Sequence, residues 1–289
     1  MSLKKDEWKK LEKKAYDLRK ICCDTTKWAG SGHIGGSLSA IDVLTLIYYK
    51  YANFDPKNVD DKNRDRIVVS KGHMGIGLAG LYADLGLVDK KELHNFNKFG
   101  SPLGMHLNHH YVKGLDASTG SLGHGSPIAL GYALGARVQN QDYKVFLLLG
   151  DGECDEGSVW EAAMATTHYN ATNLITMVDR NHNMIDGNTE DVMKLEPFAD
   201  KWKAFGFETY VVDGHNMNEI STAIEKALKA KDKPVCIILD TVKGEGIDYM
   251  AGNYLWHYGA MDDDGYNKAI KSLDEHYKKR LERIEKEGK

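Results

Sequence analysis

Five short runs rich in β-branched residues and leucine constrain the fold of this 289-residue chain more than any other feature: RIVVS (66–70), VFLLL (145–149), LITMV (174–178), TYVVD (209–213) and VCIILD (235–240). None alternates strictly between apolar and polar residues. Each therefore reads as a parallel strand covered on both sides. Helical patterns fall between them, from Ser39 to Tyr51, Gly75 to Leu85, Pro127 to Val138, Ser158 to Tyr169 and Met217 to Lys229. One start is marked by Ser126 as N-cap and Pro127 at the first helical position. The alternation predicts an α/β fold, a doubly wound, mainly parallel sheet with helices on both faces. Charged amphipathic stretches at 6–28 and 266–287 predict two further helices, packed outside the sheet or against another subunit. No internal repeat or Pro/Gly/Ser-rich linker divides the chain, so 1–289 reads as a single domain.

Composition removes several classes of function. A net charge of −4 gives no basic footprint for nucleic acid. No run approaches the roughly 18 apolar residues of a membrane span, and the charged start MSLKKDEWKKLEKKAYDLRK lacks the apolar core of a secretory signal. A cytoplasmic protein is expected. Cys22, Cys23, Cys154 and Cys236 form no C-x-x-C pair, which argues against a disulfide scaffold or zinc site. Cys154 lies near the motif described next, but no base to activate it is identifiable.

Gly150-Asp151-Gly152 follows VFLLL directly, at the C-terminal end of a strand, where open α/β sheets bind ligands. A dinucleotide fingerprint needs Gly or Ala three residues after Gly152, where Asp155 stands, and the G-K-[ST] of a Walker A loop is absent. Asp151, Glu153, Asp155 and Glu156 crowd the glycines. A bare diphosphate there would meet repulsion that helix N-terminal amides, carrying about half a charge, cannot offset. A divalent cation bridging carboxylate and phosphate resolves the conflict, and Mg2+ suits oxygen ligands, with Ca2+ and Mn2+ as alternatives. After the next strand, DRNHNMIDG places Asn181 and Asn183 on the same sheet edge. The Asn181 side chain and the Asn183 carbonyl join Asp151 as the expected metal ligands. The stretch from Gly100 to Gly125, rich in glycine and histidine, reads as a long functional loop.

GDG followed across one helix and strand by Asn resembles the signature of thiamine diphosphate enzymes. Along nearly its whole length the chain resembles transketolases. The blocks are SGHIGGSLSAIDVL (31–44), SKGH (70–73), TGSLG (119–123), GDGECDEGSVWEA (150–162) and NHNMIDG (181–187), in that family's order. The resemblance implies that Gly152, His73, Lys71 and Lys243 attend the diphosphate. Gly120, Ser121, Leu122 and Ile185 would lie beside the cofactor's rings. His33, His106 and His257 match histidines that face the sugar, and Glu156 matches an acid at the subunit interface that communicates with its symmetry mate. These four are the expected catalytic set. Three positions depart from the pattern: Tyr258 follows His257 where glycine is usual, His124 replaces a glutamine, and Gly36 stands where some members have serine.

The resemblance further implies ketol transfer, in which a two-carbon unit passes from a ketose (phosphate) to an aldose (phosphate). Histidines suit the proton transfers on sugar hydroxyls. The glutamate that contacts the cofactor's aminopyrimidine belongs to a second α/β module, and no strand-rich segment for one follows residue 240. The chain thus resembles the N-terminal subunit of a split transketolase, expected to pair with a C-terminal subunit carrying the pyrimidine-binding module, as α2β2. Two alternatives stay open: a split relative acting on a sulfonated or branched ketose, and a non-catalytic cofactor-binding module.

Overall fold

In the computed structural model, which describes residues 3–287, the five apolar runs form one sheet. The strands are β1 (Arg66–Val69), β2 (Val145–Gly150), β3 (Leu174–Arg180), β4 (Glu208–Asp213) and β5 (Val235–Asp240), in the order β1-β2-β3-β5-β4. Every pairing is parallel. All five C-terminal ends therefore share one edge, and the loops that leave them converge there.

Both faces are apolar because strand side chains alternate in direction. Phe146 and Leu148 of β2, Ile175 and Met177 of β3 and Ile237 of β5 enter one core. Val145, Leu147, Leu149, Val178 and Ile238 enter the other. Helices α1 (Lys5–Ala29), α2 (Ile34–Leu46) and α3 (Gly75–Asp84) feed the first core; α4 (Gly125–Val138) and α5 (Gly157–His168) feed the second. Next come α6 (Thr189–Val192) and α7 (Phe198–Ala204), whose Phe198 and Trp202 lie in the second core, then α8 (Met217–Lys229) and α9 (Asp263–Glu287), which pack on the first face. The doubly wound expectation holds, and the sheet is wholly parallel.

The two charged end segments are long helices that pack on each other. Their contact includes a buried network: Arg280 of α9 donates to Glu12 of α1 at 2.6 Å, and Arg19 of α1 donates to Asp42 of α2 at 2.8 and 2.9 Å.

Two local expectations need correction. Helix α2 starts at Ile34, not Ser39, and its last turn widens into a π-helical stretch, Ile47–Tyr51. Gly35 and Gly36 sit in its first turn. A Cβ on Gly35 would lie 2.5 Å from the Trp256 carbonyl oxygen, so glycine there serves close packing. Ser126 is not the N-cap of α4. The helix begins at Gly125, with His124 before it, and Ser126 Oγ is buried without a hydrogen-bond partner among the described residues. A Cβ on Gly125 would strike Ser70, so contact with the end of β1 sets this start.

Among the described residues no helix is long and apolar enough to cross a membrane. The four cysteines are buried and unpaired. Burial pushes the Cys154 thiol well above its usual value, which disfavours the thiolate.

Candidate active site

Neighbouring parallel strands carry the two halves of the acidic motif to one place. Gly150 pairs with Asp179, so Asp151 and, one residue further along, Asn181 leave adjacent strand tips. Asp151 opens a 3-10 turn over Gly152–Asp155 by accepting from Gly152 N at 2.8 Å. Its other oxygen accepts from His182 N at 2.7 Å and from Arg180 Nη1 at 3.2 Å. His182 stands at φ 63°, a left-handed kink that turns the chain back across the strand end. Asn181 Nδ2 donates to Asp179 at 3.2 Å, and its Oδ1 accepts from Asn183 N at 3.2 Å.

Above these tips lies a cleft of about 360 Å³ lined by Lys71, His73, Gly120, Leu122, Gly152, Ile185, Lys243 and His257, together with Asp151, Asn181 and Asn183. Met184, Asp186, Gly150 and Glu153 complete it. Most of the residues expected to hold a cofactor therefore share one cavity. Ser121 is exposed in the turn beside Gly120 and does not line it, and Ile185 shows 57% of its surface.

Four histidines cluster beside the cleft, of which His73 and His257 line it and His33 and His106 do not. Ring centroids of His33, His73 and His257 lie 5.2–5.4 Å apart, and His106 joins at 6.3 Å from His33. Burial, reinforced by His106 and Lys243, pushes His33 down to about 4. Burial and Lys243 push His257 down to about 3, and burial holds His73 well below the ordinary range. These imidazoles are neutral at neutral pH and can accept a hydrogen bond. Glu156 is exposed and immediately precedes α5, without capping it through its side chain. His109 and His110 lie outside the cleft, their rings tilted against each other with centroids 4.0 Å apart.

The two lysines differ. Lys71 Nζ is hydrogen-bonded to Asp179 in a fully buried ion pair. Lys243, 1% exposed, gives its protons to the carbonyls of Asn183 (2.8 Å) and Met184 (3.2 Å) and approaches His257 Nδ1 at 3.0 Å. It forms no ion pair with a carboxylate among the described residues, and burial with the nearby Lys71 charge lowers it to about 8. A buried ammonium without a counter-anion fits an anionic ligand in the cleft. The carboxylate side shows the converse: burial and the neighbouring Asp179 push Asp151 upward, which fits a cation there. No cluster of three His, Cys, Asp or Glu side chains is poised for a metal among the described residues. The Asp, Asn and carbonyl oxygen set suits a hard cation instead.

Several participants were not read from the sequence. Asp179 accepts from Lys71, Ser39, Thr241 and Asn181, tying α2, β1, β3 and the end of β5 beneath the cleft. Glu153, counted there only as surplus charge, accepts from Gly150 N (2.9 Å), Gly123 N (2.8 Å) and the Ser70 hydroxyl, and so fastens the TGSLG loop to the strand tips. An acid directly after the LITMV run and an acid directly after GDG were the available signals.

Residues 11–282 match the family model for "Transketolase, thiamine diphosphate binding domain". The chain belongs to the transketolase family. It is 37% identical over 281 residues to an apulose-4-phosphate transketolase subunit of Phocaeicola vulgatus, covering 96% of this chain and 97% of that one. It is also 37% identical over 264 residues to the 6-deoxy-6-sulfo-D-fructose transketolase subunit SqwG of a Clostridium species, covering 91% and 96%. Among solved structures, the transketolase of Campylobacter jejuni superposes with a TM-score of 0.85 at 29% identity, covering 95% of this chain and 45% of that one. The chain thus spans about the length of the separate subunits and under half of that solved transketolase.

Proposed function

We propose that this chain is the diphosphate-holding subunit of a two-chain transketolase that moves a two-carbon ketol unit from a ketose to an aldose. The observation that carries the reading is the placement of Asp151 and Asn181 on adjacent strand tips beside a buried ammonium with no carboxylate partner among the described residues. In this reading Asp151, the Asn181 side chain and the Asn183 carbonyl hold a divalent cation, with Mg2+ as the first choice. Gly152, His73 and Lys243 attend the diphosphate. Lys71, neutralised by Asp179, mainly positions the floor. Gly120, Ser121, Leu122 and Ile185 flank the rings.

Thiamine diphosphate bound there supplies the nucleophilic carbon that carries the ketol unit. The chain's own share is to bind, orient and move protons. His33, His106 and His257 face the sugar as neutral imidazoles able to accept from hydroxyl groups, and desolvation in the cleft strengthens each such contact. Glu156, exposed, is left for a subunit interface.

A C-terminal subunit bearing the pyrimidine-binding module completes the site, as α2β2 and in the cytoplasm. The test is ketol transfer by this chain alone and with that partner. Activity is expected only in the mixture, and turnover by the isolated chain ends the two-chain reading. The relatives that act on apulose 4-phosphate and on 6-deoxy-6-sulfo-D-fructose favour a second reading of the substrate, a branched or sulfonated ketose. A donor panel spanning phosphate, sulfonate and branched ketoses decides between them.

A further inference from the structure

Tyr258 has no assigned role in this reading, yet its ring lies against the histidine cluster. Its centroid stands 5.0 Å from that of His33 at an interplanar angle of 73°, an edge-to-face contact. Its hydroxyl donates to Ser31 Oγ at 2.8 Å, and 45% of the residue remains open. The backbone on either side is pinned. Gly32 and Gly259 exchange both hydrogen bonds of an antiparallel bridge, at 2.9 and 3.0 Å. A Cβ on Gly259 would lie 2.8 Å from the Trp256 ring, and one on Gly35 would meet the Trp256 carbonyl. The 254–259 segment is therefore packed closely on the start of α2 and bridged to Gly32, and the phenol ring is tethered through its hydroxyl as well as its backbone.

We infer that Tyr258 is a specificity-determining wall of the sugar channel, its tethered ring restricting the space above His33 so that short aldehyde acceptors are preferred to long ones. This rests on the proposed ketol transfer, because it is there that His33 faces the sugar. With its hydroxyl engaged by Ser31, the side chain presents mainly carbon surface. Such a surface sorts substrates by shape and packs on C–H groups, and it does not read hydroxyl patterns.

The test measures kcat/KM of the two-chain complex for D-glyceraldehyde 3-phosphate and for D-ribose 5-phosphate with one fixed donor. The long-to-short ratio is expected to rise about tenfold in Tyr258→Gly, the scale of shape discrimination in such pockets. It should fall in Tyr258→Trp. In Tyr258→Phe, which keeps the ring, it should stay within about threefold of the natural chain, less than one shape-discrimination step. A ratio unmoved in both the Gly and Trp variants overturns the inference, as does a Phe variant that behaves like Gly. Should the Gly variant fail to assemble, the Trp and Phe variants decide on the same terms. If the unaltered complex transfers no ketol unit to any acceptor, it is the proposed function that fails.

Discussion

Arg180 Nη1 lies 3.2 Å from Asp151 Oδ2, so the carboxylate proposed to bind a cation already has a buried positive partner. The same guanidinium donates to Thr189 at 2.6 Å, Glu190 at 2.9 Å and Glu196 at 3.1 Å. It therefore anchors the segment after β3 as well as balancing Asp151. Replacing it by methionine leaves Asp151 without that balance. Arg180→Met is expected to destabilise the chain by about 3 kcal/mol, as when one partner of a buried pair is removed. It should also enlarge the stabilisation gained from added Mg2+. Urea unfolding with and without Mg2+ checks both parts, and an unchanged Mg2+ effect would separate Arg180 from the cation site.

Asp151→Asn keeps the shape of the ligand and removes its charge. Cofactor affinity in the presence of Mg2+ is expected to fall by more than about 100-fold, beyond the range seen for outer-shell partners. Calorimetric titration with thiamine diphosphate and Mg2+ measures it. Undiminished affinity would exclude a metal bridge at Asp151.

Lys71 and Lys243 are both buried lysines of the cleft, and their substitutions should part company. Lys71→Met strands Asp179 without its cation and should cost about 3–5 kcal/mol of stability. Lys243→Met removes an ammonium held by carbonyls and should chiefly weaken inorganic pyrophosphate, about tenfold or more, since a charge-assisted contact worth about 1.5–3 kcal/mol is lost. Melting temperatures and pyrophosphate titrations in Mg2+ distinguish the two. The assignment fails if Lys243→Met unfolds the chain while leaving pyrophosphate affinity intact.

The neutral histidines make a prediction about acid. His33 is pushed down to about 4 and His257 to about 3, with His73 also depressed. Below pH about 6.5, the ordinary histidine value, the unfolded chain takes up protons that the folded chain refuses. Stability from this source is thus complete above that pH and is lost as the pH falls toward 4. In EDTA and without cofactor, the melting temperature should drop over pH 6.5 to 4.5. The drop should be shallower in His33→Gln and His257→Gln. Slopes identical to that of the natural chain would mean that these rings are charged in the fold.

The chain's own order of residues determined the strands, the doubly wound class, the placement of GDG at a strand end and the position of Asp151 and Asn181 just past strands on one sheet edge. Those signals are local: uninterrupted apolar runs, helical period, and glycines beside an acid where a strand stops. Even there, helix starts slipped, because Gly35 and Gly125 answer to the Trp256 carbonyl and to Ser70, which are far away in sequence. Only the tertiary structure decided which charges meet. It joined Lys71 to Asp179 across 108 residues and left Lys243, otherwise indistinguishable in the sequence, on two carbonyls and a histidine. It also set the tyrosine after His257 against His33. Coulomb and hydrogen-bond energies depend on separation and burial, which packing sets and residue order alone does not encode.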